Sequence, residues 1–305
     1  MFGRGAARVI SPCHEARFRA IIRLESFLNS DNIEQTHLAA TKYRSLTRRH
    51  ALQLCALGLA ASAAPAATQT LAIAAASDLQ YVLPALAGRF ERQTGRAVRL
   101  TFGSSGNFYS QIRNGAPFDV FLSADIDYPK RLQADGLTDG AGLYQYAVGR
   151  IVVWARHDAG VDVRHGLQVL VDSKVHRVAI ANPEHAPYGR AAVEALGHEA
   201  LYESVRRKLV LGENVSQAAQ FVESGNAEAG IIALSVARSP ALRAVGTYYE
   251  IPATWHAPLD QAAVVLKASH SKEAARAFLA FLMQPDSVRT MQDSGFIVPQ
   301  AAGRK

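Results

Sequence analysis

Cysteine is almost absent from this chain of 305 residues. Its two cysteines, Cys13 and Cys55, both precede residue 68. A disulfide framework, a thiolate metal site and a cysteine nucleophile are therefore excluded for the remainder of the chain.

Long apolar runs are also missing. After residue 67 no segment approaches the roughly 18 to 20 apolar residues that a membrane-spanning helix requires. The apolar run at 51–64 is shorter; it follows Arg48-Arg49 and ends in Ala64-Pro65-Ala66, which is the pattern of a secretory signal peptide. We expect residues 1–67 to be a spurious extension followed by a signal peptide at about 47–67. Export to the periplasm would use the general or the twin-arginine route.

A strong excess of one charge is missing from the part that we expect to fold. The whole chain has 33 basic and 26 acidic groups, a formal net charge of +7. Nine of the basic and four of the acidic groups lie in residues 1–67, which leaves 24 against 22 in residues 68–305. Because no basic footprint remains there, we expect no nucleic-acid partner.

The composition is that of a folded globular protein, with 49% hydrophobic and 19% charged residues. From Leu71 onward, short apolar runs alternate with stretches of helical period. The predicted strands are 71–76, 97–102, 118–122, 150–155, 177–181, 208–211, 229–233 and 261–266. The predicted helices are 81–94, 108–114, 128–134, 190–196, 215–224 and 271–283. This alternation predicts an α/β fold with parallel strands.

Small polar residues follow four of the predicted strands. The four turns are Ser77-Asp78-Leu79-Gln80, Gly103-Ser104-Ser105-Gly106-Asn107, Pro183-Glu184-His185-Ala186-Pro187 and Asn214-Val215-Ser216-Gln217. Helix N-termini at this edge of an α/β sheet offer unpaired N–H groups and the positive end of the helix dipole. None of the turns contains Lys or Arg. They therefore favour a compact, fully ionised oxyanion that is bound by hydroxyl and N–H groups.

Each turn also has a purely structural interpretation. Ser77 with Gln80, and Asn214 with Gln217, have the spacing of helix caps, and Pro187 suits the first turn of a helix. Such caps stabilise a helix whether or not the turn binds a ligand.

Asp78 and His185 are ionisable residues within these turns. Asp78 is either an outward-facing first-turn carboxylate that favours the helix dipole, or a residue whose N–H contacts the anion while its carboxylate points away. We interpret His185 as a residue that packs its turn, because no cluster of His or Glu at metal-ligand spacing accompanies it.

Four longer segments resemble the periplasmic molybdate-binding proteins of molybdate ABC transporters. They are AAASDLQ (74–80), FGSSGNFYSQIRNGAPFDVFLSAD (102–125), ANPEHAPYGRAAVEAL (181–196) and LGENVSQAAQFVESGNAEAGIIALS (211–235). The resemblance implies an α/β type II periplasmic binding protein fold, in which two lobes joined by two crossing strands close over a tetrahedral dianion. Lobe 1 would comprise 68–149 and 258–305, and lobe 2 would comprise 150–257.

The same resemblance implies a function and a set of site residues. The protein would be a monomer that captures molybdate or tungstate and delivers it to the membrane permease of an ABC importer. It would have no enzymatic activity, no cofactor and no metal apart from the molybdenum of the oxyanion. Ser77 and Ser105 would donate from hydroxyl and backbone N–H, Tyr188 and Val215 from N–H. Some members place an anion-contacting Tyr where this chain has Ala233, so we infer that the Tyr188 phenol replaces it.

Two other functions stay open. Residue types do not measure a cavity, so a binding protein for sulfate or phosphate is separated from a molybdate-binding protein only by the resemblance. Phosphate carries a proton for which Asp78 could serve as acceptor. The run Gly103-Ser104-Ser105-Gly106 suggests a serine hydrolase as an alternative. The nucleophile-elbow motif G-x-S-x-G is not matched, however, because residue 107 is Asn.

Overall fold

The computed structural model describes residues 70–299. The predicted extension and signal peptide, with both cysteines, lie outside the described residues. The strands are β1 (Leu71–Ala76), β2 (Val98–Gly103), β3 (Val120–Ser123), β4 (Tyr144–Gly149), β5 (Ile151–Arg156), β6 (Val178–Ala181), β7 (Leu209–Gly212), β8 (Ala229–Ala233), β9 (Gly246–Glu250) and β10 (Leu259–Val265). The helices are α1 (Leu83–Thr94), α2 (Ser105–Arg113), α3 (Asp127–Ala134), α4 (Pro187–His198), α5 (Tyr202–Val205), α6 (Val215–Glu223), α7 (Leu234–Ala237), α8 (Pro240–Val245), α9 (Lys272–Leu282) and α10 (Pro285–Asp293).

The strands form two five-stranded sheets, in the orders β2-β1-β3-β10-β4 and β7-β6-β8-β5-β9. We call the half built on the first sheet lobe 1 and the half built on the second sheet lobe 2. The chain passes between them twice, from β4 to β5 through Arg150 and from β9 to β10 through residues 251–258. Two α/β lobes are therefore joined by two crossing segments.

The prediction of parallel strands is correct only in part. β1 is parallel to β2 and β3, and β6 is parallel to β7 and β8. However, β10 is antiparallel to β3 and β4, and β5 is antiparallel to β8 and β9. Parallel neighbours need a crossover connection, usually a helix. β5 and β10 enter their sheets directly from the other lobe, so both sheets are mixed.

Apolar cores cover both faces of each sheet. All six residues of β1 are buried, which explains its continuous apolar sequence, since a central strand has no solvent-facing side. In lobe 1, Phe90 of α1 packs edge-on against Phe278 and Phe281 of α9, with ring centroids 5.1 and 5.6 Å apart. Among residues 70–299, no helix has both the length and the apolar character needed to cross a membrane.

The helix starts that follow the polar turns differ in how they are capped. Pro187 is the first residue of α4, as predicted. The Asn214 side chain accepts from the N–H groups of Ser216 and Gln217, each at 3.1 Å, so this cap is also confirmed. The cap predicted for Ser77 is wrong, because Ser77 begins a three-residue 3-10 helix without a side-chain cap and α1 starts only at Leu83.

Candidate functional site

A small cavity lies between the two lobes. Lobe 1 lines it with Ala76, Ser77, Asp78, Gly103, Ser104, Ser105 and Ala124, and lobe 2 with Ala186, Pro187, Tyr188, Asn214 and Val215. Its volume is about 10 Å³, far below the roughly 300 Å³ at which pockets for drug-sized ligands begin. Its size therefore suits a small ion.

The five residues that we expected in the binding site all line this cavity: Ser77, Asp78, Ser105, Tyr188 and Val215. Four of them belong to three of the four polar turns, and Tyr188 directly follows the remaining turn, at the start of α4. The fold brings these residues together from both lobes. No Lys or Arg is among the lining residues. An anion held here would therefore be stabilised by dipoles and hydrogen bonds instead of a counter-charge.

Backbone N–H groups are the first set of donors at the cavity. Ser105 and Val215 are the first residues of α2 and α6, and Tyr188 is the second residue of α4. N–H groups in the first turn of a helix have no acceptor within that helix. Three helices thus begin at the lining of one cavity, with N–H groups that have no acceptor in the helix and with the positive ends of their dipoles.

The Ser105 hydroxyl is oriented by a neighbouring strand end. Its oxygen accepts the N–H of Ala124 at 2.9 Å, and the residue is fully buried. Because a hydroxyl has one proton to donate and its oxygen is already bonded to this N–H, the proton of Ser105 is left for a ligand.

Ser77 is held through its backbone. Its carbonyl oxygen accepts the Ser216 hydroxyl from lobe 2 at 2.8 Å. Ser77 is buried, and no partner of its own hydroxyl is found among residues 70–299. The Ser77 hydroxyl is therefore a second side-chain donor at the cavity.

The carboxyl group of Asp78 lies at the centre of a buried cross-lobe network. Its Oδ2 accepts from the Tyr188 hydroxyl at 2.9 Å and from Gln261 Nε2 at 2.6 Å. The outward-facing interpretation of Asp78 is therefore wrong, because the residue is only 1% exposed. Burial raises its pKa to about 6, and the hydrogen bonds from Gln261 and Tyr188 oppose that rise.

Tyr188 uses its phenol across the lobes. The hydroxyl donates to Asp78, and Gln261 Nε2 lies 3.1 Å from the same oxygen. Burial, with the nearby Asp78, raises the pKa of Tyr188 well above its usual value, so the phenol keeps its proton. A Cβ on Gly149 would lie 2.3 Å from this hydroxyl and 2.8 Å from Gln261 Nε2. Only glycine at residue 149 leaves room for this pair.

Sequence reasoning missed Gln261 and Gly149. Gln261 is fully buried in the interior strand β10, 183 residues from Asp78 in the chain. Gly149 ends β4, a strand that the apolar pattern did not predict. Gln261 directly precedes the apolar run 262–265 of β10, and this was the one signal that pointed to a buried polar network.

Further bonds hold the lobes together around the cavity. The N–H of Gly106 donates to the carbonyl of His185 at 2.9 Å, and Ser104 Oγ lies 2.9 Å from His185 Nδ1. The Ser235 hydroxyl donates to the Asp78 carbonyl at 2.8 Å. The side-chain pairs Asn107 with Glu213 and Arg190 with Asp125 also cross between lobes. The structure is therefore the closed form of the protein.

The contact between Ser104 and His185 has the chemistry of a nucleophile and a base, but its surroundings are those of a structural contact. Ser104 Oγ caps α2 by accepting the N–H of Asn107 at 3.3 Å. The carboxylate of Glu213 lies 3.7 Å from His185 Nε2, which is beyond hydrogen-bond range. Within residues 70–299, no group of three His, Cys, Asp or Glu side chains could hold a metal ion.

Comparison with known proteins gives one consistent family. The family model described as bacterial extracellular solute-binding protein matches residues 71–297. The molybdate-binding protein ModA of Azotobacter vinelandii is 38% identical over 239 residues, which cover 78% of this chain and 93% of that protein. ModA of Rhodobacter capsulatus is 36% identical over 235 residues, with coverage of 77% and 91%.

A solved structure agrees. The periplasmic molybdate-binding protein of Azotobacter vinelandii matches with a TM-score of 0.71 and 34% identity, covering 75% of this chain and 100% of that chain. The expected two-lobed fold of periplasmic binding proteins is thereby confirmed. The matches also place the chain among proteins that bind solutes, which agrees with the interpretation that it is not an enzyme. This chain belongs to the family of bacterial extracellular solute-binding proteins.

Proposed function

We propose that this protein captures molybdate in the cavity between its lobes and delivers it to the membrane permease of an ABC importer. The observation that carries the proposal is a cavity lined by unpaired donors of both lobes and by no Lys or Arg. The two named relatives with 36% and 38% identity are molybdate-binding proteins. Tungstate, which has the same charge and tetrahedral shape, is a second expected ligand.

The roles of the site residues follow from their positions. Ser77 and Ser105 donate from hydroxyl and N–H, while Tyr188 and Val215 donate from N–H alone. The inference that the Tyr188 phenol replaces the tyrosine missing at Ala233 is not kept, because this phenol donates its proton to Asp78. The protein would contact only oxygen atoms of the ion, and a charge of −2 would be spread over donors that are fixed before binding. Asp78 belongs to the same site through its position in the lining.

The proposal includes the setting of the protein. It would work as a monomer in the periplasm, after removal of the signal peptide at about 47–67. Its lobes would comprise 68–149 with 258–305, and 150–257. Delivery requires opening of the closed form, with a hinge at the two crossing segments.

Sulfate and phosphate are the ligands from which molybdate must be separated. All three are tetrahedral oxyanions, and phosphate differs in carrying a proton at neutral pH. The deciding experiment is calorimetry and thermal unfolding of the protein beginning at residue 68, with molybdate, tungstate, sulfate and phosphate in turn. A ligand at about a hundredfold excess over its Kd stabilises the folded state by roughly 2.7 kcal/mol.

We expect molybdate and tungstate to give this stabilisation and sulfate to give much less. An equal response to sulfate would make the protein a general oxyanion-binding protein. No response to any of the four would refute the proposed function.

A further inference from the structure

Among residues 70–299, Asp78 is the only acidic residue that lines the cavity. It presents a problem for a site that binds a dianion, because an ionised carboxylate would repel the ligand. The lining offers no Lys or Arg to offset that repulsion. The site therefore needs Asp78 to be either remote from the ion or neutral when the ion is bound.

The two oxygens of this carboxyl group have different surroundings. Oδ2 accepts two hydrogen bonds, from Tyr188 and Gln261. Oδ1 is buried and has no hydrogen-bond partner of normal geometry among residues 70–299. The N–H groups of Asp78 and Leu79 also face the carboxyl group and lower its pKa, but burial outweighs them. A buried carboxylate oxygen without a donor is costly. A protonated Oδ1 would itself be a donor, and it would lack only an acceptor.

The other titratable groups that face Asp78 keep their own protons, so Asp78 is the group that can take up a proton. Tyr188 of α4 and Tyr146 of β4 are the titratable groups that face it, and both have pKa values raised well above the usual value. Gln261 of β10 and Ser235 of α7 are neutral hydrogen-bonding neighbours. No neighbouring charge contributes to the pKa of Asp78, which burial raises to about 6.

This inference rests on the proposed function: we propose that Asp78 takes up one proton on Oδ1 when the oxyanion binds and donates a hydrogen bond from it to an oxygen of the ion. The proton comes from the solvent, and no other bond is made or broken. The complex thus carries one negative charge less than the free protein and the free dianion together.

Proton uptake makes binding depend on pH. In the ion-free protein Asp78 loses its proton above about pH 6. A bound dianion raises the pKa further, because like charges disfavour ionisation. Above about pH 6 the affinity for molybdate should therefore fall about tenfold for each pH unit.

The test is calorimetry with molybdate on the protein beginning at residue 68, between about pH 6.5 and about pH 8.5. At about pH 7.5, repeating the titration in two buffers of different ionisation enthalpy gives the number of protons taken up. We expect close to one proton, with a tenfold loss of affinity per pH unit. This measurement needs no variant.

Asp78→Asn supplies the second arm. Asn has one oxygen to accept from Tyr188 and Gln261 and an amide N–H at the place of Oδ1, so it imitates the neutral acid. It should bind without proton uptake and without pH dependence, and at least tenfold more tightly than the wild type at about pH 8. Asp286→Asn, an exposed aspartate of α10, is the matched control and should keep the pH dependence of the wild type.

The outcomes separate the two proposals. Wild-type protein that binds molybdate with no proton uptake and a constant affinity over this range would overturn the role of Asp78 and leave the proposed function intact. Wild-type protein that binds none of the oxyanions at any pH would overturn the proposed function itself.

Discussion

The backbone N–H of Gly106 donates a hydrogen bond of 2.9 Å to the carbonyl oxygen of His185 and so joins the two lobes through main chain alone. A Cβ at residue 106 would lie 2.6 Å from that oxygen and 2.8 Å from the Tyr128 hydroxyl. Contacts this short are not made by real Cβ atoms. The lobes can approach this closely only because residue 106 has no side chain.

Gly106→Ala should therefore hold the lobes apart. We expect the affinity for molybdate to fall at least tenfold, which corresponds to about 1.4 kcal/mol. Stability without ligand should be kept or raised, because Ala favours the first turn of α2 over Gly. Small-angle scattering with saturating molybdate should show a larger radius of gyration than the wild type.

Gly197→Ala is the matched control for that variant. It lies in α4, and no heavy atom would come within 4 Å of its Cβ. Equal affinities for Gly106→Ala and Gly197→Ala would contradict the role of this close approach.

Ser105→Ala should weaken molybdate binding by one to two orders of magnitude. Hydrogen bonds to charged groups contribute about 1.5 to 3 kcal/mol, and each decade of affinity corresponds to about 1.4 kcal/mol. Thermal unfolding without ligand should also shift downward, since the Ala124 N–H loses its acceptor. Ser110→Ala on the exposed side of the same helix should change neither quantity; binding by Ser105→Ala at wild-type strength would exclude the hydroxyl as a donor.

Gly149→Ala should disrupt the network around Asp78, because the new methyl group would overlap the Tyr188 hydroxyl at 2.3 Å. We expect a loss of molybdate affinity. Combining it with Tyr188→Phe removes the overlapping oxygen, so the double variant should bind better than Gly149→Ala alone. A double-mutant cycle measured by calorimetry reports this coupling, and strictly additive losses would show that residues 149 and 188 act independently.

The free energy of unfolding of the ligand-free protein should depend on pH because of Asp78. Its folded-state pKa is raised from 3.8 to about 6, so the folded protein binds this proton more tightly than the unfolded chain does. The associated stability is complete below about pH 4 and is lost as pH rises to about 6, a loss of about 3 kcal/mol. Asp78→Asn removes the loss.

Urea unfolding of both proteins at about pH 4 and about pH 7 measures that difference. The variant should gain about 2 kcal/mol on the wild type between these two values, because part of the total change has already occurred at about pH 4. Stability differences that do not change with pH would mean that Asp78 is ionised without penalty in the folded state.

Eight of the ten strands within residues 70–299 were predictable from the sequence, and β4 and β9 were not. β1 and β8 begin and end where the apolar pattern placed them, because every residue in them is buried. β9 reads Gly-Thr-Tyr-Tyr-Glu and is exposed at several positions on the edge of its sheet. β9 is a strand because it pairs with β5, and its own sequence does not indicate this pairing.

The site was predictable as far as it consists of local turns. Small polar residues at helix starts identify Ser77, Ser105 and Val215 from a few neighbouring residues each. The partners of Asp78 were beyond reach, since Tyr188 and Gln261 lie 110 and 183 residues away in the chain. Only the meeting of two lobes decides whether that carboxylate faces solvent or a phenol.

The position of β10 between β3 and β4 sets the order in which the newly made chain completes its lobes. β5 to β9 have all been synthesised before β10, an interior strand of the first sheet, exists. Until residue 265 is made, β3 and β4 have no strand between them to pair with. The strands of lobe 2 are therefore complete first, and a chain cut short before Leu259 would keep that sheet while separating β4 from β3 in the first one.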